Sequence, residues 1–213
     1  MKKLTDWFGF SKIPFGRDID AKDFFQYPQL AELHQILELA LASQSGTLIT
    51  GEAGTGKTTV VRGFLETLPA NQYRAIYLGN DQDGGALLAR LGMELGMRVS
   101  LARNQRMIQL TQHIRRHVVG SGKQLVLVVD EAHLMDGRTL EDIRLLTNAE
   151  MDSRTDVILI VLGQLWLRNK LKQHGHGALY QGLRLRCGMG GFTKQQANSR
   201  IQHHLPLAGH RKE

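Results

Sequence analysis

Gly46-Thr47-Leu48-Ile49-Thr50 runs directly into Gly51-Glu52-Ala53-Gly54-Thr55-Gly56-Lys57-Thr58, and Thr59-Val60-Val61-Arg62-Gly63-Phe64-Leu65 follows. This reads as strand, glycine-rich loop and helix, the setting in which a G-x-x-x-x-G-K-[ST] pattern signals a phosphate site. A triphosphate concentrates several negative charges in a small volume. Gly51, Gly54 and Gly56 can adopt backbone angles closed to other residues, so that successive N–H groups turn inward around a phosphate. Lys57 would add a mobile point charge toward the β and γ oxygens, and the Thr58 hydroxyl would ligate Mg²⁺ at the positive end of the helix. The expected binding set is Gly51, Glu52, Ala53, Gly54, Thr55, Gly56, Lys57, Thr58 and Thr59.

Triphosphate hydrolysis at such a loop also needs an acid at the tip of a neighbouring buried strand, and a base to orient the attacking water. Leu125-Val126-Leu127-Val128-Val129-Asp130-Glu131-Ala132-His133 supplies both. Five apolar residues without alternation read as a strand buried on both faces. Asp130 is the expected metal-side carboxylate, with Thr58 as its partner toward Mg²⁺, and Glu131 is the expected water-polarising base. ATP and Mg²⁺ are the expected cofactors.

The chain has 213 residues, enough for one domain with a substantial core. Its 27 basic and 20 acidic residues give a net charge of +7. That excess favours anionic partners, nucleic acid first, and is equally what a solvated basic surface would give. Cys187 is the single cysteine, which rules out an intramolecular disulfide and fits a reducing compartment; its setting suggests packing. No uninterrupted apolar run approaches the ~18–20 residues of a membrane span, and the N-terminus lacks the apolar core of a signal peptide. The chain therefore reads as soluble and cytoplasmic, with no membrane partner.

Taken in order, residues 1–28 concentrate aromatics: Trp7, Phe8, Phe10, Phe15, Phe24, Phe25 and Tyr27, with Pro14 and Pro28. This segment is expected to pack on the domain, either walling an adenine pocket or capping the core as a flap. A helix is expected from about Gln29 to Ala42, and a short strand over Arg74–Leu78. The loop with Asp81 and Asp83 reads as a solvated turn, and Ala86 to Gly96 as a helix. Arg103 to Val118 reads as an amphipathic helix with Met107, Leu110, Ile114 and Val118 as its stripe. Arg103, Arg106, Arg115 and Arg116 then form either a DNA-facing edge or simply the wet side. Thr139 to Glu150 reads as a helix, and Val157–Leu162 as another doubly buried strand ending at Gly163-Gln164. If that strand lies beside the first, the Gln164 amide stands next to the γ-phosphate; alternatively it caps the helix that follows. His174 and His176 lack a third ligand and read as exposed. A last strand is expected around Leu183–Cys187, a helix from Thr193 to about Leu205, and a basic tail His210-Arg211-Lys212.

Alternating strands and helices with the loop after the first strand imply a parallel sheet covered on both faces. At this point the chain resembles the AAA+ ATPases of the general-secretion ATPase A (ExeA)/TniB-like group, which includes helper ATPases encoded beside transposases. The resemblance rests on Trp7-Phe8-Gly9-Phe10 to Pro14-Phe15, on Gly51 to Thr59 and on Val129-Asp130-Glu131-Ala132-His133-Leu134. It rests further on Leu145-Leu146-Thr147-Asn148-Ala149-Glu150-Met151-Asp152 and on Leu162-Gly163-Gln164. It implies an α/β P-loop NTPase fold (AAA+, ASCE), a three-layer sandwich with a five-stranded parallel sheet in the order 5-1-4-3-2. It also implies Gln164 as the sensor-1 residue, so that Glu131, Lys57 and Gln164 form the catalytic set. ATP would promote homo-oligomers that coat double-stranded DNA and engage a transposase.

By the resemblance the chain divides into an aromatic N-terminal segment (1–28) packed on the core, an AAA+ nucleotide-binding domain (29–192), and the start of a truncated helical lid with a basic tail (193–213). Secretion members of the group carry a membrane span and a wall-binding portion that this sequence does not contain; with the basic charge, this directs the expectation to the mobile-element branch. Where the group has an Arg-Gln-Arg run offering an arginine finger, this chain has Tyr180-Gln181-Gly182. A finger is worth about 10³–10⁵ in rate, so slow hydrolysis is expected. Two other readings stay open: a nucleotide-gated assembly or secretion-type ATPase without a DNA role, and a remnant that binds ATP without using it.

Overall fold

The computed structural model describes residues 7–10, 15, 23–79, 84–147, 156–173 and 175–209. Pro14, Asp81, Asp83, the 148–152 portion of the Leu145–Asp152 motif, His174 and the tail 210–213 lie outside the described residues.

The chain opens its core with α1 (Pro28–Ala42), where proline stands at the start of the helix and Leu30, Leu33, Leu37 and Ala40 form the buried stripe. β1 (Thr47–Gly51) leads through the glycine loop into α2 (Lys57–Glu66). β2 (Tyr73–Leu78) and α3 (Gly84–Glu94) follow. Next comes α4 (Arg103–His113), which continues as a π-helical turn over Ile114–Val118 and a 3₁₀ turn over Val119–Ser121. β3 (Gln124–Val129) ends at a 3₁₀ turn, Ala132–Leu134, before α5 (Gly137–Thr147). β4 (Val157–Gly163), α6 (Leu167–Lys172), α7 (Gly177–Gly182), β5 (Leu185–Met189) and α8 (Lys194–Leu207) complete the fold.

The five strands form one parallel sheet in the order β2-β3-β4-β1-β5, the order implied by the resemblance. Because side chains alternate along a strand, β3 and β4 feed two separate cores. Leu125, Leu127, Val129, Val157, Leu159 and Val161 face one core, with α3 to α7 on that side. Val126, Val128, Ile158, Ile160 and Leu162 face the other, beneath α1 and α2. Unbroken apolar runs are thus the consequence of a sheet covered on both faces.

Three expectations change. The last strand begins two residues later than expected, because Leu183 is fully buried in the preceding connection and pairing starts where the Leu185 N–H reaches the Gly46 carbonyl. The basic edge on α4 is largely committed to the fold. Arg103 forms a forked pair with the buried Asp142, and Arg115 pairs with Asp156 at 3.4 Å. Arg106 is itself buried and donates to the Ser100 and Leu101 carbonyls, both at 2.8 Å. Finally, the aromatic segment packs only in part. Phe24 is buried with its ring so close over Gly63 that a Cβ there would lie 2.3 Å from it, whereas Trp7 is 85% exposed and Phe8 51%.

Candidate nucleotide-binding site

The glycine loop sits where β1 ends, and its geometry follows from three glycines with different duties. Gly54 and Gly56 have φ of 80° and 89°, in the left-handed region, with open space where a side chain would be. Gly51 is different: a Cβ there would lie 2.4 Å from the Met189 carbonyl of β5, so the close approach of two strands requires glycine. Gly56 is also the N-cap of α2, which points the unpaired N–H groups of its first turn at the loop.

A cavity of about 700 Å³ opens over this loop, a size suited to a nucleotide. The expected residues Ala53 to Thr59 line it, as do Asp130 and Glu131. Gly51 and Glu52 frame the loop from behind: their carbonyls each accept a hydrogen bond of 2.8 Å from Lys57 Nζ. Burial holds the Lys57 ammonium below its ordinary pKa, while Glu131, Asp130 and Glu52 oppose that shift.

Thr58 and Asp130 come from distant parts of the chain, yet Thr58 Oγ1 donates to Asp130 Oδ2 at 2.6 Å. The tip of β3 brings them together, since Asp130 N donates to the Leu78 carbonyl at the end of β2. Asp130 is 2% exposed, and its Oδ1 accepts the Glu131 N–H at 2.7 Å. A hydroxyl and a carboxylate at this separation form an all-oxygen donor set of the kind Mg²⁺ takes, with room in the cavity for its waters. Glu131 follows in the left-handed region at φ 52°, an uncommon backbone for a non-glycine residue and a type of strain that clusters at functional sites.

Several residues here carried no role in the sequence reading. Tyr77, at the end of β2, donates its hydroxyl to the same Asp130 Oδ2 at 2.7 Å; burial, then the Asp130 interaction, pushes the phenol above its ordinary pKa. His133, 3% exposed, places Nδ1 3.3 Å from Glu131 Oε2 and 3.4 Å from the Gln164 backbone N–H. A protonated Nδ1 serves the carboxylate and a bare one serves the amide, so the two contacts belong to different tautomers. Trp166 lies edge-on to His133 at 5.1 Å, and Lys170 donates to the His133 and Met135 carbonyls.

Gln164 follows β4, which does pair with β1, Gly163 standing opposite Thr50. The condition for its approach to the phosphate end is met, but its side chain is not among the cavity-lining groups. The capping alternative is not realised either, because Trp166 is the N-cap of α6 and no side chain bonds there.

An aromatic wall closes the cavity away from the loop. Phe25 stacks on Tyr27 at 6.1 Å, and Phe192 stands edge-on to Tyr27 at 4.8 Å. Phe24, Phe25 and Tyr27 thus line the cavity, while Phe24 also packs into the core over Gly63, so the segment walls the cavity and caps the core at once. Arg200 of α8 also lines the cavity, with its guanidinium 5.1 Å over the Phe192 ring. A capping box anchors that helix: Thr193 and Gln196 exchange side-chain and backbone hydrogen bonds. At Tyr180-Gln181-Gly182 the chain forms α7, and Arg186 of β5 folds back on Tyr180.

A family model described as AAA domain matches residues 41–171, which include the loop, Asp130, Glu131 and Gln164. General secretion pathway protein A of Aeromonas hydrophila is 32% identical over 210 residues, covering 96% of this chain and 38% of that protein. The chain thus spans well under half the length of the curated relative it matches, so the portions not covered do not separate the secretion from the mobile-element branch. Among solved structures, Cdc6p of Pyrobaculum aerophilum matches with a TM-score of 0.71 at 18% identity, over 89% of this chain and 54% of that one. ORC2 of Aeropyrum pernix, in its ADPNP–ADP complexes, matches with a TM-score of 0.66 at 12% identity, over 84% and 50%. Drosophila ORC bound to DNA gives 0.55 at 19%, over 81% and 48%. At these identities the structural likenesses speak to the fold alone. With a family model spanning most of the chain and a glycine loop, buried Asp130 and parallel sheet in agreement with it, the chain belongs to the AAA domain family of P-loop ATPases.

Proposed function

We propose that this chain binds ATP with Mg²⁺, hydrolyses it slowly, and lets the nucleotide state gate its association with double-stranded DNA. The observation that carries the nucleotide half is the Thr58 hydroxyl held 2.6 Å from the buried Asp130 carboxylate beside Lys57. In this reading Lys57 leaves the Gly51 and Glu52 carbonyls for the β and γ phosphate oxygens. Thr58 and Asp130 hold Mg²⁺, which when bound supplies charge neutralisation on the phosphates. Glu131 orients a water and takes its proton as the water oxygen attacks the γ-phosphorus; the bond to the bridging oxygen breaks, giving ADP and phosphate. His133 positions Glu131, Gln164 senses the γ-phosphate from the tip of β4, and Arg200 braces the cavity wall from α8 through its stack on Phe192. The aromatic wall of Phe25, Tyr27 and Phe192 receives the base.

The DNA half is supported by the net charge of +7 and by the group resemblance. Its most specific form is a helper ATPase in transposition, cytoplasmic, assembling as an ATP-dependent homo-oligomer and engaging a transposase. Domain boundaries at 28 and 192 belong to the same proposal. A second reading, a secretion-type assembly ATPase without a DNA role, is favoured by the name of the Aeromonas relative. No helix among the described residues is long and apolar enough to cross a membrane.

Binding of the purified chain to duplex DNA with ATP, with ADP and without nucleotide, each at low and high salt, tests the DNA half. ATP-dependent binding that weakens with salt is expected. Intact ATP binding with no DNA binding in any state would transfer the assignment to the secretion-type reading.

A further inference from the structure

The charge excess has to reside somewhere, and of the four arginines on α4 and its π-helical continuation, Arg103 and Arg115 are paired with carboxylates and Arg106 is buried against carbonyls. The opposite flank differs. On α6, Arg168 and Lys172 are exposed; Arg184 and Arg186, in the α7–β5 connection and on β5, are exposed as well. Three of these cations converge on one ring. The Arg186 guanidinium lies 3.9 Å over the Tyr180 centroid, Lys172 Nζ lies 5.8 Å from it, and Arg168 Nε lies 3.4 Å from the Tyr180 hydroxyl. Arg186 also donates to the Tyr180 carbonyl at 2.7 Å, which fixes the stack. No carboxylate pairs with any of the four among the described residues. They are four of the chain's 27 basic residues, gathered on one flank.

We infer that this Tyr180-centred cluster is the surface that receives the phosphate backbone of duplex DNA; the inference rests on the DNA half of the reading proposed above. Charge complementarity selects the occupant. Duplex DNA presents one negative charge per about 1.7 Å of axis, so cations spread along a flank can all be neutralised without a matched pattern, as an acidic peptide would require. Three of the four are arginines, whose planar groups stack on aromatics and fork onto phosphate oxygens. A guanidinium already stacked on Tyr180 has little further entropy to lose on binding. The position also leaves the nucleotide mouth open. Arg186 stands opposite Leu48 and Leu185 bonds to Gly46, so the β5 part of the cluster flanks the start of β1, whereas the glycine loop follows its end.

The test titrates a fluorescein-labelled 30-base-pair duplex with the ATP–Mg²⁺-loaded chain across a salt series. It compares the parent with Arg184→Ala/Arg186→Ala, the charge-keeping Arg184→Lys/Arg186→Lys, and Arg116→Ala at an exposed position of the π-helical turn that continues α4. Losing two phosphate contacts should lower the slope of log K against log salt by about 1.8 in the double alanine variant. Affinity at low salt should fall about tenfold or more, the lysine variant should keep most of the slope, and Arg116→Ala should match the parent. Circular dichroism melts establish that each variant is folded. Failure of the parent to bind DNA would overturn the DNA reading itself. Parental binding with an undiminished slope in the folded alanine variant would overturn only this surface. So would a defect confined to binding vesicles of anionic phospholipid.

Discussion

Tyr77→Phe removes a single hydroxyl from the metal side of the site, and the geometry fixes the direction of the effect. Asp130 Oδ2 accepts from Thr58 at 2.6 Å and from Tyr77 at 2.7 Å, which uses both of its lone pairs, while Oδ1 takes the Glu131 N–H. If Asp130 held Mg²⁺ through Oδ2, one of these two donors would have to give way. Thr58 is itself an expected ligand, so Tyr77 is the one to leave. A hydrogen bond to a charged acceptor is worth about 1.5–3 kcal/mol. Tyr77 is 37% exposed, so water can take its place, and the loss falls toward about 1 kcal/mol. Burial and Asp130 keep the phenol protonated, so it remains a donor at neutral pH. The variant should therefore be less stable without nucleotide by about 1 kcal/mol in urea unfolding. Its Mg²⁺ half-saturation in a fluorescent-nucleotide binding assay should fall about fivefold, the same energy read as affinity. An unchanged or raised half-saturation, with the expected stability loss present, would refute the idea that Tyr77 competes with the metal.

Three further outcomes follow from single distances. Gly51→Ala must part β1 from the Met189 carbonyl, now 2.4 Å from the added carbon; thermal melts should fall by several degrees and nucleotide affinity should drop, because the same strand end carries the loop. Asp136 precedes α5 and accepts from the Thr139 N–H and hydroxyl at 2.7 and 2.6 Å, which holds its carboxyl below the ordinary range. Asp136→Ala should cost about 1 kcal/mol at pH 7, the side chain being exposed and screened. A depressed carboxyl stabilises fully above its unfolded pKa and loses that contribution as pH falls through its folded one, so urea midpoints of parent and variant should converge below about pH 4. Arg200→Ala removes the guanidinium 5.1 Å over the Phe192 ring of the cavity wall and should weaken binding of ATP and of adenosine alike, by about fivefold in isothermal titration, since a stacked cation supports the wall and not the phosphate end.

The sheet was legible because Leu125–Val129 and Val157–Leu162 have no polar alternation, and only a doubly covered parallel strand buries both faces. The loop residues and the Asp130–Glu131 pair were legible because their spacing is local. Tyr77, His133 and Arg200 were not: each gains its place from topology, as β2 runs beside β3, as β4 ends beside the Asp130 turn, and as α8 brings Arg200 over the Phe192 ring of the cavity wall. The two readings of Arg103 and Arg115 stayed open for the same reason, since their partners Asp142 and Asp156 sit far along the chain. The short helices α6 and α7, six residues each, are too brief to show a helical stripe.

The central claim is that this cavity hydrolyses ATP with Glu131 as the base. Single-turnover hydrolysis by the parent and by Glu131→Ala, alongside nucleotide binding by both, tests it most directly. Both proteins should bind ATP with Mg²⁺ about equally, and the variant should release phosphate at least about 100-fold more slowly, the scale of a lost general base. Equal phosphate release by the two proteins would contradict the assignment of Glu131, and with it the chemistry proposed for the site.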